Sequence, residues 1–261
     1  MDSSRSTEGA QSLRRALLLL RLLSQHPDDG LKLTTLIRAS GLSRSTVHRL
    51  VSCLVDEHFA ERDRLTHNYR LGVDSMQLGF ASMRGAALIG LCRPLMQKIA
   101  RISGDTVFLV ARQGDYSVCL QREEGHFPVK VFTTNVGERR LLGYGAGGLA
   151  LLAALPDSEI ARVMERNTVE YAQSGFTPSR MAAAVRKARS AGHAEIVDTV
   201  TKGVSGVGCT FRASPSTVVG VSIGAITSRM SAQRKKELGR LLLDHFAAAP
   251  GVSISEQRID V

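Results

Sequence analysis

No stretch of this 261-residue chain stays apolar for the roughly 18 to 20 residues a helix needs to cross a bilayer. The run Ala16-Leu17-Leu18-Leu19-Leu20 is cut by Arg21, a length suited to a buried helix. The opening Met1-Asp2-Ser3-Ser4-Arg5 is polar and lacks a signal-peptide core. A membrane partner is therefore not expected, and the expected location is the cytoplasm. The four cysteines, Cys53, Cys92, Cys119 and Cys209, form no CxxC pair, and none of the seven histidines completes a zinc spacing with them. Apolar neighbours make buried free thiols the expectation at all four, without disulfides or a structural metal. Catalytic signatures are missing too. There is no GxSxG, no HExxH and no P-loop, and the spacing of His193, Asp198 and Ser205 marks no triad. The chain reads as a non-enzyme with no cofactor.

Acidic residues are absent from one informative place. Residues 31–55 contain Lys32, Arg38, Arg44 and Arg49 and no Asp or Glu. The net charge of +10 is otherwise spread, with 12 Lys/Arg against 9 Asp/Glu in residues 1–84 and 22 against 15 in residues 85–261. Overall basicity thus says little, whereas a local basic surface is what phosphate contact requires.

What is present there is a tight turn and a helix start, Gly41-Leu42-Ser43-Arg44-Ser45-Thr46-Val47-His48-Arg49-Leu50. Gly41 supplies the permissive backbone between two short helices, and Ser43 can cap the second. Leu42, Val47, Leu50, Val51 and Leu54 recur at helical spacing and commit one side to a core. Arg44, Ser45, Thr46, His48 and Arg49 fall on or beside the other side, where a recognition helix meets bases and phosphates. A helix over 12–26, a short helix over 35–40 capped by Thr34, and a third over 44–57 precede two short strands, 59–62 and 68–71. Three helices and a hairpin make a winged helix-turn-helix, with Arg62, Arg64, His67 and Arg70 on or near the wing. Thr34, Thr35 and Ser43 complete the candidate DNA-contacting set.

The rest has a different texture. A hydrophobic fraction of 43% and a mean hydropathy of −0.02 suit a globular chain with room for two domains. Residues 1–11 read as a disordered tail and 12–72 as the DNA-binding domain. Residues 73–90 read as a linker helix whose apolar positions Val73, Met76, Leu78 and Phe80 suit pairing with a second copy. Residues 91–250 read as an α+β domain, and 251–261 as a tail. Within the α+β domain helices are expected over 94–103, 147–154, 157–166, 178–191 and 231–248. Strands are expected over 106–111, 117–121, 129–136, 194–200, 207–211 and 218–225.

In this order the elements resemble the IclR family of bacterial transcriptional regulators. The resemblance rests on Ser12-Leu13-Arg14-Arg15-Ala16, the Gly41–Leu50 segment and Tyr69-Arg70-Leu71-Gly72, with Val136-Gly137-Glu138-Arg139 kept further on. It implies a C-terminal GAF-like domain that binds a small metabolite, and a dimer or dimer of dimers on double-stranded operator DNA. It also implies an effector pocket at Phe108, Leu120, Leu142, Gly143, Tyr144, Ala146, Gly147, Ile196, Asp198, Gly206, Val207, Ser222 and Gly224. Several family positions depart from the pattern. Gly143 and Leu149 stand where His and Lys are usual, Ile196 where an acid is usual, Gly206 where Cys is usual and Gly224 where a second Ser is usual. These exchanges favour a bulky or aromatic carboxylate over a two- or three-carbon acid, with Tyr144 adding a ring and a hydroxyl.

Gly143-Tyr144-Gly145-Ala146-Gly147-Gly148 formally fits G-x-G-x-x-G, but neither a preceding core strand nor a later strand-ending acid is expected. Two readings stay open: a glycine-rich lead-in to a helix, or N–H groups that hold an effector anion. The competing function is a DNA-binding structural or oligomerisation protein with a ligand-free C-terminal domain.

Overall fold

Gly41 sets the geometry of the first unit. In the computed structural model, which describes residues 10–85, 87–214 and 217–247, its φ of 66° ends α2 (Leu33–Ser40) with its N–H on the Ile37 carbonyl. Two residues later Ser43 caps α3 (Arg44–Asp56). Together with α1 (Gln11–Ser24), these helices bury Leu19, Leu23, Leu36, Val47, Leu50, Val51 and Leu54. Strands β1 (Ala60–Arg62) and β2 (Tyr69–Leu71) form an antiparallel wing extended by a bridge from Leu31 to Tyr69. Helix α4 (Val73–Gly85) follows, with Val73, Met76, Leu78 and Phe80 exposed. The chain divides into two compact units at residues 86/87.

The second unit is built on a six-stranded antiparallel sheet of order β5-β4-β3-β8-β7-β6. Its strands are β3 (Thr106–Gln113), β4 (Tyr116–Glu123), β5 (Arg139–Leu141), β6 (Ala194–Val197), β7 (Val204–Ser214) and β8 (Thr217–Ile226). Side chains alternate across it, as the period of two dictates. Val107, Leu109, Val207, Cys209, Phe211, Val219, Val221 and Ile223 face α5 (Ala87–Ser103) and α10 (Ala232–Ala247). Phe108, Val110 and Cys119 face α6 (Ala146–Ala153), α7 (Asp157–Arg166), α8 (Thr168–Gln173) and α9 (Pro178–Ala191). On this second face β7 and β8 offer Gly206, Gly208, Gly220 and Gly224, so α6 sits almost on the sheet backbone. A Cβ on Gly208 would lie 2.7 Å from the Ala146 carbonyl, and one on Gly220 2.7 Å from that of Gly147.

The winged helix-turn-helix followed by an α+β domain is the architecture expected from sequence, with local corrections. Residues 129–136 form no strand. The place beside β4 is taken by 137–141, because Gly137 donates to the Cys119 carbonyl and Cys119 donates to that of Glu138. Helix α5 begins at Ala87 and runs through Pro94, and α8 was not foreseen. Strand β6 ends at Val197 and β7 extends over 204–214. Lys32 precedes α2 as its N-cap residue, so Thr34 lies inside the first turn. Cys53 is exposed, while Cys92, Cys119 and Cys209 are buried, and burial pushes those three thiols up to about 11, 11 and 12. Residues 1–9 and 251–261, most of the two expected tails, lie outside the described residues, as do residues 248–250.

One ion cluster ties the sheet edge to two helices. Glu195 on β6 accepts from Lys187 of α9 at 2.9 Å and Lys235 of α10 at 3.0 Å. Burial alone would raise its carboxyl, but the two ammonium groups outweigh this and hold it at about 2, below the ordinary 4.5. A depressed folded-state value stabilises above the unfolded value and loses that contribution on acidification. The melting-temperature gap between the wild type and Glu195→Gln should therefore be full above pH 4.5 and close toward pH 2. A gap independent of pH over that interval would refute the coupling.

Candidate functional site

The start of α3 is held by its own hydroxyls. Ser43 Oγ accepts the Thr46 N–H at 3.3 Å and lies 2.8 Å from Thr46 Oγ1 and 3.2 Å from Ser45 Oγ. Four-residue spacing lines up Arg44 with His48, and Ser45 with Arg49, along adjacent rows of the helix. All four are exposed, and Arg44, Ser45 and His48 border one shallow depression. Among the described residues no hydrogen bond or ion pair engages the side chains of Arg44, His48 or Arg49. The first turn of α3 has no acid, so no carboxylate of that turn offsets its positive end, and a phosphate there would be favoured.

The other predicted DNA contacts are distributed around this helix. Thr34 is exposed and Thr35 half-buried on α2. On the wing, Arg62 lies 5.7 Å from the Tyr69 ring centre, and Arg70 Nε donates to Glu61. Arg64 stands beside the exposed tip residue Leu65. The wing turn is fixed by Asp63, whose Oδ1 accepts from the amides of Thr66 and Leu65 and from the Thr66 hydroxyl. These bonds, the Thr66 amide first, hold its carboxyl below the usual range.

In the second unit a cleft with about 60 Å³ of enclosed space opens where α6 starts. Seven predicted pocket residues line it: Phe108, Ala146, Gly147, Ile196, Gly206, Ser222 and Gly224. Gly145 precedes α6, and no side chain caps the first N–H groups. The Ser222 hydroxyl is nine-tenths buried and has no protein partner among the described residues. It lies 3.3 Å from where a Cβ of Gly147 would sit. Apolar walls come from Phe108, Val110, Cys119, Ile196, Val200 and Val204.

Six predicted residues lie elsewhere, for identifiable reasons. Strand alternation turns Leu120 and Val207 to the opposite face of the sheet. Leu142 is fully buried in the α6–α9 core, and Gly143, at φ +93°, backs onto Met181. Tyr144 stacks on Tyr171 at 5.9 Å, meets Phe176 edge-on at 5.0 Å and donates its hydroxyl to the Glu170 carbonyl. Its ring therefore does not furnish the cleft. Asp198, with φ 54°, accepts from the Gly203 N–H at 2.7 Å and the Thr227 hydroxyl at 3.3 Å, shaping the β6–β7 turn.

The cleft is also less apolar than the sequence suggests, because Ser117, Thr133, Thr134, Glu138, Arg140 and Ser205 contribute to its wall. Arg140 donates from Nε to Thr134 Oγ1 at 2.5 Å, and from Nη2 to Glu138 Oε1 at 2.7 Å and to the Thr133 carbonyl. The neighbouring Arg139, which completes the Val-Gly-x-Arg motif, instead lies over the Tyr116 ring at 4.6 Å. Residue alternation along β5 would have pointed to Arg140, had 139–141 been recognised as a strand.

Among the described residues no cluster of His, Cys, Asp or Glu could hold a metal, and no helix is long and apolar enough to cross a membrane. The chain is 27% identical over 257 residues to the HTH-type transcriptional regulator BhcR of Paracoccus denitrificans, covering 95% of this chain and 91% of that one. The crystal structure of an IclR family regulator from Brucella abortus superposes with a TM-score of 0.79 at 22% identity, covering 94% and 92% of the two chains. An IclR homolog from Microbacterium hydrocarbonoxydans, crystallised with 4-hydroxybenzoate, matches at a TM-score of 0.67 and 18% identity, over 91% of this chain and all of that one. Such relatives are named as transcriptional regulators, not enzymes. The family model for the IclR helix-turn-helix domain matches residues 12–64, and that for the bacterial transcriptional regulator IclR C-terminal domain matches residues 80–250. On these grounds the chain belongs to the IclR family and is a DNA-binding transcriptional regulator.

Proposed function

We propose that a bulky or aromatic carboxylate, bound in the α6 cleft, controls the operator binding or activity of this regulator, and that its target is a catabolic operon. The carrying observation is the two-sided character of the cleft. Aliphatic and aromatic walls face an uncapped helix start, the unpartnered Ser222 hydroxyl and the Arg140 guanidinium. Backbone N–H groups at a helix start favour an anion, and a planar guanidinium matches a carboxylate. The enclosed space of about 60 Å³ is below the roughly 300 to 1,000 Å³ usual for small-molecule pockets, so a bulky acid has to widen the cleft as it enters. The 4-hydroxybenzoate complex of a relative with this fold supports an aromatic acid as the class to try first.

DNA contact is assigned to the α3 row and the wing: Thr34, Thr35, Ser43, Arg44, Ser45, Thr46, His48, Arg49, Arg62, Arg64 and Arg70. The apolar residues exposed along α4 and the exposed Leu13 and Leu17 of α1 support a homodimer or dimer of dimers, which would present two recognition helices to two half-sites.

A thermal-shift panel of benzoate, 4-hydroxybenzoate, glyoxylate and pyruvate tests the effector class, because a ligand that binds only the folded state raises the melting temperature. The aromatic acids should raise it by roughly 2 °C or more at saturating concentration. A shift with glyoxylate or pyruvate alone would overturn the size assignment. No shift with any acid would favour a ligand-free domain used for assembly.

A further inference from the structure

Glu138 and Arg140 form an ion pair on the wall of the cleft itself. Arg140 keeps two anchors independent of that pair, the 2.5 Å bond from Nε to Oγ1 of the buried Thr134 and the bond from Nη2 to the Thr133 carbonyl. Its Nη1 meets no acceptor among the described residues. Glu138 is bound at both oxygens, by Arg140 Nη2 at 2.7 Å and by the Asn135 N–H at 3.0 Å. Its side chain is 39% exposed, so water can solvate the carboxylate once it is released. A ligand carboxylate brought up to the helix start also borders Arg140, since Gly145, Gly147 and Gly148 line the same cleft.

Resting on the reading of this cleft as an effector site, we propose that Glu138 is a built-in competitor for the ligand. Arg140 exchanges the Glu138 carboxylate for the ligand's, and the exchange removes the side-chain bond of the Asn135–Glu138 turn while its backbone bond, from the Glu138 N–H to the Asn135 carbonyl, remains. Charge-assisted bonds are conserved in the swap, so the arginine is never left unpaired and the thermodynamic cost is small. The same swap sets specificity. A neutral ligand of the same shape cannot displace Glu138, whereas an acid can. The Asn135 N–H loses its acceptor when Glu138 leaves, which makes the turn report on occupancy.

The test is calorimetric titration of the full chain with benzoate and 4-hydroxybenzoate, each against its neutral amide, for the wild type, Glu138→Gln and Arg140→Gln. Removing a partly exposed competitor should tighten acid binding by about three- to tenfold and leave the amides unchanged. Arg140→Gln should erase the preference for acid over amide. Hydrogen exchange of the Asn135 amide should quicken on adding acid to the wild type. Equal acid affinities for the wild type and Glu138→Gln would overturn the competition while leaving the carboxylate effector standing. Acid binding seen only with Glu138→Gln would support it strongly. Absence of acid binding in both would overturn the competition and the effector class together, and amide binding in that case would mark the cleft as a site for neutral ligands.

Discussion

Gly208→Val is expected to cost about 3 kcal/mol or more and to unfold much of the second unit at moderate denaturant. The reason is what the added carbons would meet. A Cβ alone would stand 2.7 Å from the carbonyl carbon and oxygen of Ala146 and 2.9 Å from the Gly147 nitrogen. Backbone at a helix start cannot swing aside as a flexible side chain can. The helix would have to lift from the sheet, dragging Leu149 and Leu152, which are buried beneath it. Gly145→Ala is the control. Its Cβ would meet nothing within 4 Å and its φ is −99°, so only a capping difference of about 1 kcal/mol or less is expected. Denaturant midpoints followed by circular dichroism decide the matter, and similar losses for the two variants would show that close approach of helix and sheet is not the constraint.

Arg44→Ala is expected to weaken operator binding by about 1–3 kcal/mol if the guanidinium reads a base edge. Arg44 opens α3, is exposed, and has no partner among the described residues to release first. Arg70 makes a useful comparison, since it is already paired with Glu61 and must exchange one anion for another on reaching a phosphate. Its replacement should cost less and act equally on all sequences. Binding curves on operator and on unrelated DNA at several salt concentrations separate the two. An Arg44→Ala loss of the same size on both DNAs would reassign that side chain to phosphate contact.

The helix-turn-helix was legible because its determinants are local. Gly41, Ser43 and the inward set Val47, Leu50, Val51 and Leu54 lie within 14 residues, and each acts through backbone or helical spacing. The order of the α+β elements was legible for the same reason. The cleft was harder to read, because its walls come from strands far apart in the chain, and membership depends on which way a residue faces. Leu120 and Val207 were lost to the wrong face by one step of strand register. The alternation of Val129 and Val131 suggested a strand, but the neighbouring edge of β4 was taken by residues 137–141. That displacement also hid Arg140. Tyr144 looked available for a ligand because nothing local shows that Tyr171 and Phe176 gather around it.

The strand order has a mechanical consequence. β5 and β6 are the first and last strands of the sheet, yet Arg140 of one and Ile196 of the other border the same cleft. Laid flat, five gaps of 4.7–4.9 Å would hold these two margins about 24 Å apart. The sheet must therefore roll into an incomplete hoop, with the opening at the cleft. A molecule seated there and touching both margins acts as a keystone. It would tie the first strand of the sheet to the last across the cleft.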